Sequence, residues 1–142
     1  MRRQETMLRL KRFKVEELAR RLVTLDAMRM DLERKLADLQ DAVARERHRA
    51  NDTDIGRLAF PSFLRSIDTR REKINDSLKE VSRERGQCDL EHSTSKEELK
   101  SLELAVEQET RRLAEAEARR SQTRLDEMAL VRHLRKHALR GT

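Results

Sequence analysis

The sequence predicts an all-α protein, a long antiparallel two-helix coiled coil (a helical hairpin) with the second helix overhanging the first. Three observations lead there. From Pro61 to about Leu139 the only glycine is Gly86 and no proline follows Pro61, while apolar or small residues recur every three to four positions. The series Ile67, Ile74, Leu78, Val81, Cys88, Ser95, Leu99, Leu102, Val106, Leu113, Ala116, Leu130 and Leu134 is the narrow seam of a coiled coil, not the wider face of a globular helix. The composition is that of long helices: 42% charged residues, 2% aromatic, no Trp or Tyr, three Gly and one Pro. Finally, the chain has one convincing break, near residue 55, so one long helix has one shorter helix to fold against.

The same polarity could mark a disordered chain. The regular placement of the apolar residues argues against that reading. No apolar run is long enough to cross a bilayer, and no apolar core or small-residue cleavage site follows the basic start, so neither a membrane span nor a secretory leader is expected. Cys88 is the sole cysteine, which rules out an internal disulfide and suits a reducing cytosol. It falls on the seam, where a small apolar side chain fits, and is read as packing and not as a reactive thiol. The net charge of +6 sits at the ends. Residues 1–14 hold six Lys or Arg against Glu5, residues 119–142 hold seven against Asp126 and Glu127, and the shaft between them is near neutral.

The first helix is expected over about residues 5–50. Its seam is Leu8, Val15, Leu18, Leu22, Leu25, Leu32, Leu36, Leu39 and Val43, with Arg29 in a charged slot. Phe13, Val23, Met28 and Met30 lie off that seam. Residues 51–60 are expected to form the connector: Asn51-Asp52-Thr53-Asp54-Ile55-Gly56 clusters turn formers, Gly56 can take a positive φ, and Pro61 suits the first turn of a new helix. The second helix then runs over about 61–139, in one domain covering 1–142. Phe60, Phe63 and Leu64 are placed to close the hairpin tip.

So short a connector makes the helices antiparallel. With Val43 against the Phe63–Ile67 turn, Leu36 faces the Ile74 region, Leu22 faces Arg85–Cys88, and Leu8 faces Leu99–Leu102. Around Gly86 the slots Arg85, Cys88, His92 and Ser95 offer little to bury, and this stretch is expected to bend or breathe most. The first helix runs out opposite about residue 105, leaving roughly 45–50 Å of the second without a partner. That surplus is Ala-rich at first. It then carries Leu125, Met128, Ala129, Leu130, Val131 and Leu134 among Arg132, Arg135, Lys136 and Arg140. Cations in the last turns suit the helix dipole. The apolar cluster has no such account, and it marks the end as a docking element.

Little here points to catalysis. The chain has no Gly-rich phosphate loop, nucleophile elbow or metal-type cysteine pair. His133 and His137 stand one turn apart, a spacing that can hold a metal, but with no third ligand nearby they read as a solvated helix end. Two helices also provide no concavity that excludes water, so a non-enzyme without cofactor or metal is expected. Basic ends could meet phosphates or anionic lipid. Yet aromatics for stacking or anchoring are nearly absent and acids interrupt the basic runs, so no nucleic acid partner is expected and an acidic protein surface fits better.

The arrangement resembles the flagellar export protein FliJ family: about 140 residues, a shorter and a longer helix joined near residue 55. Arg124-Leu125-Asp126-Glu127-Met128-Ala129-Leu130 is similar to the leucine-aspartate-alanine tract those proteins carry near their ends, and Phe63-Leu64-x-x-Ile67 to their second-helix entry. The resemblance implies a type III secretion stalk, similar in shape to the gamma subunit of rotary ATP synthases. Its terminal end enters the hexameric ring of the export ATPase FliI and promotes ring assembly. It further implies contact with the export gate protein FlhA and with export chaperones, and a cytoplasmic location at the inner membrane face reached only through partners. By that likeness the gate contacts fall on Leu39, Ala42, Phe63 and Ile67, with Ala42 and Glu46 standing where other members carry aromatics. The ring contacts are expected at Leu8, Lys11, Arg12, Lys14, Leu125, Met128, Leu130, Val131, Leu134 and Arg135, and the stalk is expected to be a monomer. Two rival readings are a homodimeric structural coiled-coil scaffold and the equivalent stalk of a virulence injectisome.

Overall fold

The computed structural model describes residues 2–141. Two helices account for nearly all of it: α1, Arg2–Asp52, and α2, Asp54–Arg140, with no strand among the described residues. Met1 and Thr142, the limits of the expected single domain, lie outside the described residues. The chain divides into two compact units, one of residues Arg9–Glu97 and one joining the chain up to Leu8 with that from Glu98 onward.

In the Arg9–Glu97 unit the helices pack antiparallel, since contacts that climb α1 descend α2. The Cys88 thiol lies 3.6 Å from the Leu18 carbonyl, which it faces as a donor. Arg21 Nη2 donates to Glu84 at 3.3 Å and Arg85 Nε donates to Asp26 at 2.6 Å. Further along, Leu36 and Gln40 line one groove with Arg71 and Asn75. This is the register the seam predicts. Its centre is Leu25 with Val81 and Cys88, packed by Leu18, Leu22 and Leu32. Leu25 and Ile67 are each 2% exposed. Burying such side chains contributes roughly 1.5–3 kcal/mol each, which is what holds two helices this polar together.

Several expectations need correction. In the stretch around Gly86, expected to have little to bury, Cys88 and Ser95 are two of the four buried residues of α2, while Arg85 and His92 are half-buried. Small side chains at seam slots let the two helices approach, as the thiol contact to the Leu18 backbone records, and closeness covers what bulk does not. The connector also shrinks from residues 51–60 to Thr53 alone. Asn51 and Asp52 finish α1, and Asp54 to Phe60 already belong to α2.

Thr53 explains the shorter connector. Its N–H and its hydroxyl both donate to the Arg49 carbonyl, at 3.1 and 3.2 Å, closing the end of α1. The same hydroxyl accepts the Gly56 N–H at 3.0 Å, the N-cap bond of α2. Asp54 then places a carboxylate in the first turn, where it meets Arg57 at 3.0 Å. Gly56 does not take a positive φ, and neither does any other described glycine. Its role is space: a Cβ there would lie 2.6 Å from the Arg49 carbonyl oxygen and 2.7 Å from the Thr53 hydroxyl. Pro61 falls inside α2, about two turns in, not at its start. The donor it lacks would have served the carbonyl of Arg57, an exposed residue that water can reach.

Candidate functional site: the bare end of α2

In the second unit, Leu8 and Gln4 of α1 are half-buried, as are Leu99, Leu102, Val106 and Glu109 of α2. Ala116 is the last half-buried residue. From Glu117 to Gly141 every residue is exposed. Side chains of the helix pair with one another just before this stretch and at its start. Glu107 pairs with Arg111 at 3.1 Å, Glu109 with Arg112 at 2.6 Å, and Glu117 with Arg124 at 3.1 Å and Arg120 at 3.7 Å. All but Glu117–Arg124 are three- or four-residue pairs, of the kind that support a helix. The Arg112 guanidinium holds the Glu109 carboxyl below the usual glutamate range, chiefly through their hydrogen bond.

Beyond Asp126 the pairing stops. Arg132, Arg135, Lys136 and Arg140 have no ion pair among the described residues. Between them Leu125, Met128, Leu130, Val131, Leu134 and Leu139 stand exposed, from 49% at Val131 to 78% at Leu139. At about 100° per residue these six cover about 220° of the helix circumference, and the remaining arc carries Lys136, Ala129, Arg140, His133, Asp126 and His137. His133 and His137 rings lie 4.9 Å apart, and no group of three metal-type ligands occurs among the described residues.

Of the expected ring contacts, Met128, Val131 and Arg135 line one shallow groove with Arg124, Glu127 and Arg132. Leu125, Leu130 and Leu134 flank it on other sides of the same helix, and Leu8 belongs to the same unit. Lys11, Arg12 and Lys14 belong to the Arg9–Glu97 unit, where Lys11 is half-buried and the other two are exposed.

The expected gate contacts are mixed. Leu39, half-buried, shares with Ile74 an apolar groove rimmed by Lys35, Asp38, Arg70 and Lys73. Ala42 and Phe63 are half-buried, whereas Ile67 is sealed in the core and offers a partner no surface while the helices stay paired. Two features escaped the sequence reading. The rim of that groove is built from both helices, which neither seam alone displays. Ile55 and Leu58, read as connector, are helical residues more than four-fifths exposed; the Thr53 cap was the signal that could have placed them.

Two long helices packed antiparallel, one of them ending in exposed turns, define an all-α coiled-coil hairpin. Residues 1–138 match the family model described as flagellar FliJ protein, and the chain belongs to the FliJ family. It is thus a flagellar export-related protein. No individual curated protein and no solved structure matches it. No helix among the described residues is long and apolar enough to cross a membrane.

Proposed function

We propose that the chain is the stalk of a flagellar type III export apparatus and works by binding, without catalysis. The end of α2 enters the hexameric ring of the export ATPase FliI, promotes ring assembly, and couples the ring to the gate protein FlhA and to export chaperones. It does so as a single copy, on the cytoplasmic side of the inner membrane, held there by its partners. The observation that carries this reading is a broad apolar surface, over more than half the circumference, on a helix end where Arg132, Arg135, Lys136 and Arg140 have no ion pair among the described residues. A partner that encloses the end covers all of it at once, and acids on the enclosing wall satisfy Arg132 and Arg135. Leu8 adds to the same unit. Leu39, in a groove whose three cations suit an acidic surface, and Phe63 are candidates for the gate.

The test is a double substitution, Leu130→Asp with Leu134→Asp. Both side chains are exposed, so helix content by circular dichroism should hold while association with the ATPase ring is lost. Ring binding that survives the double change refutes the docking assignment.

A further inference from the structure

The bare end has a second regularity, apart from Leu130 and Leu134. Ala114, Glu117, Ser121, Arg124, Met128, Val131, Arg135 and Ala138 follow one another at alternating steps of three and four, so they form a single stripe along α2. All eight are exposed. Met128 and Val131 lie just beyond its middle, in the groove edged by Arg124 and Arg135. Met128 and Leu130 lie about 160° apart around the helix, so this stripe is not the side that Leu130 and Leu134 occupy.

The order of residues along the stripe makes it self-complementary. Turned end for end and laid on itself, it places Arg124 level with Met128 of the other copy. The same alignment sets Ser121 beside Val131, Glu117 against Arg135, and Ala114 against Ala138. Glu117 then meets an opposite charge and Ala114 another alanine, each pairing occurs twice, and no charged residue lies level with a like charge along the stripe. The alanines at both ends let the helices close up, and the Arg124 methylene stem covers the Met128 side chain. Glu117 lies within 3.1 Å of Arg124 and 3.7 Å of Arg120 in the single chain. All three are exposed, so such pairs exchange at little cost.

We infer that this stripe is a homotypic interface: in the free protein it pairs antiparallel with the same stripe of a second copy. The contact is isologous and closes on itself, which limits assembly to a dimer. An acidic protein fits the stripe less well, because Glu117 would face a like charge at one end while Arg135 was satisfied at the other. A strip about 36 Å long and one helix wide lies at the low end of specific interfaces, so the dimer exchanges readily. Covering the stripe in this way occupies the turns that the ring reading assigns to the ATPase, so self-pairing and ring entry exclude each other. The pairing itself does not rest on that reading.

Sedimentation of the full chain across a concentration series tests the inference, with Glu117→Arg, Arg135→Glu and the double swap. The wild-type chain should show a reversible monomer–dimer equilibrium. Each single reversal should weaken it about tenfold, by turning two attractions into two repulsions, and the double swap should return it close to the wild-type value. Circular dichroism confirms that each variant keeps its helix content. A wild-type chain that stays monomeric throughout leaves the stripe to some other protein and overturns the inference. So do single reversals without effect, or a double swap as weak as the singles. The Leu130→Asp, Leu134→Asp variant should lose the ring yet keep the dimer, which separates failure of one reading from failure of the other.

Discussion

Leu25 and Leu130 occupy equivalent kinds of position, each a leucine in a three-four series on a long charged helix, and they meet opposite fates. Leu25 is 2% exposed, at the centre of the Arg9–Glu97 unit, whereas Leu130 is 58% exposed on the end of α2. Periodicity lines up an apolar stripe; it does not supply what covers the stripe. In the Arg9–Glu97 unit the second helix supplies the cover. From Glu117 onward nothing in the described chain does. Stability therefore belongs to one region and uncovered surface to the other.

The widest expected gap between the two comes from truncating those leucines. Leu25→Ala should cost about 3 kcal/mol in urea unfolding, because it opens a cavity where α1 and α2 meet. Leu130→Ala should stay within about 0.5 kcal/mol. Similar losses from both would mean that the end of α2 is packed after all. The glycines sharpen the contrast further. Gly56→Ala forces a methyl against the Arg49 carbonyl and should cost about 1–3 kcal/mol. At Gly86 an added Cβ meets nothing within 4 Å, so Gly86→Ala should instead stabilise α2 by up to about 1 kcal/mol through helix propensity. Thermal unfolding of the two variants reads both signs. Thr53→Ala removes the N-cap and should cost about 1 kcal/mol, with m-value unchanged.

The smallest effect concerns pH. The hydrogen bond from Arg85 holds the Asp26 carboxyl below the usual aspartate range, with the nearby Arg85 and Arg29 charges adding to it against the opposing effect of burial. A carboxyl whose folded pKa is depressed contributes stability above its unfolded value, near 3.9, and that contribution fades as pH falls below it. Unfolding midpoints measured from pH 7 down to acid should therefore fall less for Asp26→Asn than for the wild-type chain. An identical slope would remove this cross-helix pair from the account.

The seam, the antiparallel register and the bare end of α2 were legible in the sequence, because each depends on spacing alone. Leu18 near Cys88 and Leu36 near Arg71 follow from sliding one regular series along another. The turn was not legible to the same depth. Asn51 to Phe60 has the composition of a loop, but one threonine closes α1 and caps α2, and which of several turn formers takes that role depends on backbone geometry. Closeness was equally hidden: Cys88 and Ser95 look too small to bury, and are buried because they are small. Ile67 belongs to the same lesson, since a position named for contact with a partner was also the best-packed slot of α2. The stripe from Ala114 to Ala138 was present in the letters but interleaved with the seam, and it stands apart only once both are known to be uncovered.

Hydrogen–deuterium exchange on the dilute chain, alone and with the assembled export ATPase ring, tests the central claim most directly. The account predicts that amides of 117–140 exchange fast in the free chain and slow markedly with the ring, while those around Leu25 and Val81 are protected in both. Slow exchange of 117–140 in the dilute free chain, or protection by the ring confined to the Arg9–Glu97 unit, would contradict it.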